Sequence, residues 1–484
     1  MRKLFKATFL MGISTVASVA AGFLRAKFTA LVLGPSGLGI FSQAVSFFQT
    51  SEVVFGLGTG LGVTKYTAEA AGKNDADGIK KIVAATAVLQ FISSLALVFI
   101  VVAFSRQISQ FLFLTPEYYW GVVLLGVPVL FSVMTTSFES VIVGLSKQEY
   151  FSLSRVIFFS LGLLLLVFFV GTMKVAGGFY YIAFNAVLGF AVVIYFTDIA
   201  LRRSAKFGLK DIFKALTADD LITGVRKLIS YGWIVLLSSA ITWCTFLLTR
   251  SLLIRSSGAE ANGYYQVAFA LVSYYSPFFT NGMWGYLLPK LSGTDSTQEQ
   301  NAEINNAIKF ILIFLTPVIA GLYILKEFVV LLIFTSEFLP ALEMFPAYLM
   351  GSFFYMLGYV MATVFLSKKR LKIYFLISLA QNILFVILFY LLSGKYGIKG
   401  LAFSYLSANL FSAAAMGLYA VRAMKYTVNI QILRIFSISL LVLIAVLFAP
   451  GGIMWNSAKA VLTVIFMLMV LGKKERVLVR TFLK

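Results

Sequence analysis

The chain has 484 residues, 60% hydrophobic and 12% charged, with 40 Lys and Arg against 19 Asp and Glu and a formal net charge of +21. This balance excludes an ordinary soluble domain: apolar runs of about 20 residues, each long enough to cross ~30 Å of hydrocarbon, recur along the whole chain, and without strand alternation they argue against a β-barrel. The single Cys244 excludes an internal disulfide or zinc cluster, and the absence of histidine excludes histidine-based acid–base catalysis, haem ligation and His-metal sites, so no metal site is expected.

Fourteen spans are predicted in chain order. The first, near 7–33, starts with basic residues and an apolar run like a signal peptide ending near Ala20, but the apolar pattern continues past Ala21, which suits a retained span. It carries Arg25 and Lys27 and closes on a turn framed by Gly34 and Gly39. The second, 39–64, carries Glu52 and the run GLGTGLG at 56–62. A dinucleotide fingerprint would need a strand before that run and a soluble helix after it, so close helix packing or a bend is expected instead. Spans follow near 80–104, 119–143, 151–173 and 178–201, with Glu139 and Asp198 expected to be solvated near the inner ends of two of them. The polar connection 202–227 contains Thr217 and Asp220, which predict a capped surface helix. Beyond it lie spans near 229–255, carrying Arg250, and 263–288, whose many aromatics are read as packing and interface anchors. The remaining spans fall near 307–326, 341–366, 372–393, 399–421, 433–449 and 457–472, and Ser296 with Glu299 predicts a helix cap before 307–326. Pro128, Pro277, Pro317 and Pro346 predict kinks.

With the N-terminus in the cytoplasm, 30 of the 40 basic residues fall in inner segments and seven in outer ones (Arg106, Lys174, Arg255, Lys326, Lys395, Lys399 and Lys459). That bias places both termini inside and assigns most of the positive charge to anionic inner-leaflet lipid, not to nucleic acid. The glycine-framed turn at Gly34 and Gly39 recurs at Gly258 and Gly263, an offset of 224, and Gly178 before the sixth span matches Gly400 before the twelfth, an offset of 222. Two units of six spans are therefore expected, parallel and related by an axis along the membrane normal. The expected divisions are 1–205 for the first six-helix lobe, 206–227 for a cytoplasmic linker, 228–425 for the second lobe, and 426–484 for two extra spans and a basic cytoplasmic tail.

An arginine or lysine in mid-membrane costs roughly 2.5–3.5 kcal/mol on insertion scales, so Arg25, Lys27 and Arg250 need partners. Arg25 and Arg250 lie about 12 Å below the outer turns at ~1.5 Å per residue. The repeat would bring them to the apex of a central cavity, where a ring of cations suits a phosphate or diphosphate. Arg25 and Lys27 are about 200° apart around a helix, so both cannot face that cavity. The competing expectation is structural pairing with Glu52 or Glu139, and Glu52 is also a candidate proton or sodium site.

The stretches LGPSGLGIFSQA, GVTKY at 62–66, YLLPKLS at 286–292 and FTSEFLPALEMFPAYLMGSFF from Phe334 resemble the Wzx-type O-antigen and enterobacterial-common-antigen flippases, relatives of the lipid II flippase and the MATE drug exporters. The resemblance covers spans one to twelve. It implies an all-α polytopic membrane fold with two six-helix lobes in a V, here followed by two further helices, fourteen in all. It implies transport of an undecaprenyl-diphosphate-linked oligosaccharide from the inner to the outer leaflet of a bacterial cytoplasmic membrane, without an enzymatic step. A polysaccharide polymerase and a chain-length regulator are the expected partners, no cofactor is expected, and a proton or sodium gradient is the expected energy source. Lys27, Lys65 and Arg250 fall where related flippases carry basic residues, whereas Arg25 and Glu52 depart from that pattern. The rival expectations are a MATE-like cation-coupled multidrug exporter, which a cationic cavity opposes, and a membrane-embedded glycan polymerase, ligase or glycosyltransferase, which the short outer loops oppose.

Overall fold

A computed structural model describes residues 2–212, 214, 217–294, 296–450 and 452–470, with side chains from Val19 onward apart from a few positions. The expected cytoplasmic tail, 471–484, lies outside the described residues. Regular structure among the described residues is entirely helical, as hydrocarbon demands of backbone groups that have no water to bond.

In chain order the helices are α1 (Arg2–Phe55), α2 (Thr59–Gly72), α3 (Ala76–Ala103), α4 (Ser105–Phe113), α5 (Tyr119–Gly144), α6 (Gln148–Ala205) and α7 (Ala218–Gly282). After a π-helical turn come α8 (Leu288–Ser292), α9 (Thr297–Ile324), α10 (Lys326–Ile333), α11 (Phe345–Ser367), α12 (Leu371–Ala423), α13 (Ile430–Phe448) and α14 (Ile453–Val470). Nine helices among the described residues are long and apolar enough to cross a membrane.

Four of these helices are two legs joined at one non-helical residue. Gly34 (φ 62°, ψ −177°) bends α1 and Gly258 (φ 83°, ψ 169°) bends α7. Lys174 (φ 51°, ψ −125°) bends α6 and Gly397 (φ 49°, ψ −126°) bends α12. The expected turns are thus sharper than loops: one residue bends the helix, and Pro35 starts the next leg, where a missing N–H costs nothing. The second pair of bends corrects the expected register, because its members are 223 residues apart, which matches Gly400 with Gly177 and not Gly178. A Cβ on Gly177 would stand 1.9 Å from the Phe169 carbonyl oxygen, and one on Gly400 2.8 Å from that of Leu392, each eight residues back across its bend.

The repeat includes an element not expected from sequence. Phe104 and Leu325 each interrupt the helix for one residue, and the short helices α4 and α10 follow. The GLGTGLG run also breaks its span. Leu57 and Gly58 have positive φ, and the freed carbonyls of Phe55 and Gly56 accept from the side chains of Ser93 and Gln90, at 2.6 and 3.0 Å.

The chain packs as two compact units, Met1–Gly263 and Tyr264–Lys484. In the first, one apolar cluster gathers Phe48, Val101, Leu125, Val129 and Phe179, and Phe113, Tyr118 and Trp120 pack against the Phe179 ring. A second gathers Val63, Val83, Ile142, Phe196 and Leu228. In the second unit α11 is the most enclosed helix, whereas the most apolar stretch of α12 faces outward.

Candidate functional site

A polar seam inside the first unit joins the second leg of α1 to both legs of α7. The Arg250 Nη1 atom donates to Ser42 Oγ and to Asn262 Oδ1, both at 2.9 Å. Asn262 Nδ2 donates to the Gly39 carbonyl at 2.7 Å, and Gln43 Nε2 donates to Ser251 Oγ at 2.8 Å. The guanidinium also lies over the Phe246 ring, 4.6 Å from its centroid. Arg250 is 1% exposed, and Gln43 and Asn262 are fully buried.

At the head of the seam the two glycine turns interlock. A Cβ on Gly39 would stand 1.8 Å from the Ala259 carbonyl oxygen, and one on Gly263 2.0 Å from that of Pro35. Gly39 matches Gly263 and Pro35 matches Ala259 at the same offset of 224, so each turn fits its glycine against the other's carbonyl. Below, Thr50 donates to the Trp243 carbonyl at 3.3 Å, and Gly62 approaches Leu228. The rising numbers on one side meet falling numbers on the other. At these contacts the first leg of α7 therefore runs antiparallel to the second leg of α1 and to α2.

The end of this contact away from the glycine turns is ionic. Lys81 of α3 pairs with Asp220 at 2.7 Å, and Gly224 packs closely on Ala85. Asp220 also accepts from the Thr217 hydroxyl and backbone N–H, at 2.9 and 3.2 Å, while the Asp220 N–H donates back to the Thr217 hydroxyl. The expected cap is present, but it opens α7 itself and not a separate surface helix. The Lys81 hydrogen bond, followed by those from Thr217, brings the Asp220 carboxyl down to about 2. The second expected cap also forms, with Ser296 Oγ accepting from the Glu299 N–H at 3.4 Å.

The other expected site residues fall as follows. Arg25 lies over the Phe159 ring at 5.6 Å, with Nε toward the Ala21 carbonyl at 3.4 Å; its contact is aromatic, not a carboxylate. Lys27 is partly exposed, and Lys65 reaches Glu69 at 3.9 Å. Glu139 is not solvated but 9% exposed, and it accepts from Arg155 at 2.7 Å. Asp198 is likewise engaged, by Arg202 at 2.6 Å and by the Leu209 N–H at 2.7 Å. Glu52 lies beside Ser132, within electrostatic reach of Glu139 and Arg155. The two acids expected from sequence thus come within electrostatic reach of each other, and the cation near both, paired to Glu139, is Arg155, which the charge pattern assigns to the inner segments. Ser42, Gln43, Ser251 and Asn262 were also missed; buried amides and hydroxyls inside apolar spans were the available signal.

Residues 4–293 match the family described as polysaccharide biosynthesis protein. The chain belongs to that family. The lipid III flippase of Escherichia coli (strain K12) is 25% identical over 406 residues, covering 84% of this chain and 95% of that protein. The Shigella flexneri lipid III flippase matches over the same extent. Among solved structures, the lipid II flippase MurJ in an inward closed conformation aligns with a TM-score of 0.71 at 16% identity, covering 99% of this chain and all of that one. An inward-facing multidrug resistance MATE family transporter of the MOP superfamily aligns with a TM-score of 0.68 at 14% identity, over 88% of this chain and 96% of that one. The family member described here therefore has an all-α polytopic membrane fold that resembles those of MurJ and the MATE transporter.

Proposed function

We propose that this chain carries an undecaprenyl-diphosphate-linked oligosaccharide from the inner to the outer leaflet of a bacterial inner membrane by alternating access, as a transporter and not an enzyme. The observation that carries the reading is the seam around Arg250, a buried cation between two repeat-related bent helices, held by hydroxyl and amide groups. The neutral bonds, Gln43 to Ser251 and Asn262 to the Gly39 carbonyl, are each worth a net ~0.5–1.5 kcal/mol and those donated by the Arg250 guanidinium ~1.5–3 kcal/mol, and water replaces both kinds when the surfaces part. Such a seam can close in one state and open in another at small net cost. When it opens, Arg250 becomes a wet cation able to meet a diphosphate, together with Arg25 and Lys27 on the first leg of α1. The glycan would then occupy water, and the polyprenyl tail would stay in lipid, so that a charged headgroup never enters hydrocarbon. The lipid III flippases to which the chain is similar support this substrate class.

The finer architecture belongs to the same proposal. Nine long apolar helices, four of them bent into two legs, together with the shorter apolar stretch Trp455–Val470, make fourteen crossings with both termini in the cytoplasm. Two six-span lobes, 1–205 and 228–425, would be joined by the linker 206–227 and followed by the extra spans of 426–484. Glu52, with Glu139 and Arg155 beside it, is the proposed site of proton or sodium coupling. A polymerase and a chain-length regulator would receive the product.

The test is the sidedness of the lipid-linked glycan in cells lacking the protein and in cells carrying Arg250→Ala or Lys27→Ala. Intact glycolipid accumulating where periplasmic lectin cannot reach it, with synthesis unchanged, is the expected result. Normal periplasmic exposure in the deletion strain, with no second flippase present, would overturn the reading in favour of drug export.

A further inference from the structure

A second cationic cluster lies far along the chain, in the second unit, where α9 ends and α14 begins. Tyr323, in the last turn of α9, is buried, and two ammonium groups approach its ring. Lys326 Nζ is 4.4 Å from the ring centroid and Lys459 Nζ 5.0 Å. The two nitrogens are therefore no farther apart than the sum of those distances. Lys459 is 4% exposed. Neither lysine has a carboxylate partner among the described residues, and neighbouring Glu327 is exposed and in no ion pair there.

The structural role of Lys459 is visible and insufficient. Its Nζ donates to the Ala449 carbonyl at 3.1 Å, at the C-terminal end of α13. A helix C-terminus offers about half a negative charge, and the N-terminus of α10, where Lys326 is the first residue, offers about half a positive one. With the C-terminus of α9 and the N-terminus of α14 also at this place, the four helix ends cancel in pairs, leaving two whole positive charges around one ring. An ammonium has three donors. Lys459 spends one on Ala449, and Lys326 spends none on a described protein acceptor. The Tyr323 hydroxyl likewise has no described hydrogen-bond partner, so the cluster presents several donors and no negative charge.

The surroundings set its level. Leu325 just before α10, Phe328 and Leu332 on α10, and Trp455 on α14 are exposed. A short helix with apolar side chains outward and a lysine at its start, beside an exposed tryptophan, suits the headgroup boundary. In the orientation proposed above, on which the leaflet alone depends, this is the outer leaflet.

We infer that Lys326, Tyr323 and Lys459 form a clamp for a lipid-borne phosphate at the outer end of α9. Two sources share that chemistry: the diphosphate of the delivered glycolipid and the headgroup of an ordinary anionic phospholipid.

The experiment is native mass spectrometry of the full chain in detergent, titrated with phosphatidylglycerol. A lysine near a phosphate contributes about 1 kcal/mol, roughly fivefold, so Lys326→Gln with Lys459→Gln is expected to weaken the tightest lipid site about thirtyfold. Lys326→Gln alone changes a partly exposed side chain whose described contact is the ring, and it is expected to weaken binding about fivefold with the fold intact. Lys326→Arg should retain binding. Undecaprenyl diphosphate displacing phosphatidylglycerol at substoichiometric amounts would assign the site to the delivered headgroup, and failure to displace would assign it to phospholipid. Unchanged lipid retention in both glutamine variants would overturn the clamp. Displacement by inorganic phosphate as effective as by lipid would overturn its lipid assignment. The readout is binding, so a failure of transport does not bear on it.

Discussion

Lys174 and Gly397 have nearly the same backbone angles, with φ 51° and 49°, yet only one is a glycine. A side chain at such angles costs about 1–3 kcal/mol, because the Cβ meets neighbouring backbone. Lys174→Gly is therefore expected to raise stability by about 1 kcal/mol, read as a higher melting temperature of the detergent-solubilised protein; an unchanged or lower value would deny the strain. Arg155 is the opposite case, since removing it leaves Glu139 buried with a charge. Its side chain is 37% exposed, which screens part of the pair. Arg155→Ala should destabilise by about 1–2 kcal/mol, between the values for surface and buried pairs. Arg155→Gln with Glu139→Gln should recover most of that loss in the same melt. The pair was not legible in sequence: its members are 16 residues apart on α5 and α6, and hydropathy around Arg155 reads as an inner boundary. Arg250 was legible as a cation in the wrong solvent, but its partners were not, because serine and asparagine leave little mark on a hydropathy profile.

The bent legs carry the next level. Where a turn requires positive φ or a carbonyl at contact, glycine must appear, so the turns of α1 and α7 could be read from Gly34, Gly39, Gly258 and Gly263. Their interlocking could not be, since it depends on which carbonyl each glycine meets. A methyl group 1.8–2.0 Å from a carbonyl oxygen cannot be accommodated without parting the turns. Gly39→Ala or Gly263→Ala should therefore hold the head of the seam open. In a Cys244→Ser background, Ser251→Cys should then be labelled by an impermeant maleimide severalfold faster than with both glycines present; equal rates would remove the interlock from the mechanism. The short helices α4 and α10 escaped sequence reading because the expected spans end at 104 and 326, and eight or nine residues beyond them, too few to cross hydrocarbon, read as connection. The end of the contact away from the glycine turns is set by charge, and its pH dependence has a definite sign. The Asp220 carboxyl sits at about 2, below its ordinary 3.8, so what the Lys81 pair contributes is fully present above about 4 and is lost as pH falls toward 2. Crosslinking between Gly62→Cys and Leu228→Cys, made without Cys244, should thus be unaffected by this group from pH 8 to 5. Asp220→Asn should lower it across that whole range.

Over the whole chain the repeat is written twice, in backbone angles and in charge. Bends at Gly34 and Gly258 and at Lys174 and Gly397 recur at offsets of 224 and 223, and the breaks at Phe104 and Leu325 recur at 221. The offset thus shifts by three residues and then by two between these points, and this is why an offset taken from one glycine pair drifts from the backbone register. A unit that repeats with an even number of crossings keeps the same orientation, so basic residues should concentrate on the same side in both halves. The bends at Lys174 and Gly397 must then share a side, and the connections at Lys206 and Lys425 must share the other. Cysteines placed singly at Lys174, Lys395, Lys206 and Lys425, with Cys244 replaced, test this in intact cells. An impermeant maleimide should label the first two directly and the last two only after the membrane is opened. If Lys174 and Lys395 labelled from opposite sides, one half would contain an odd number of crossings. The two halves would then be inverted and not parallel, and a seam built from matching turns at one face would need a different origin.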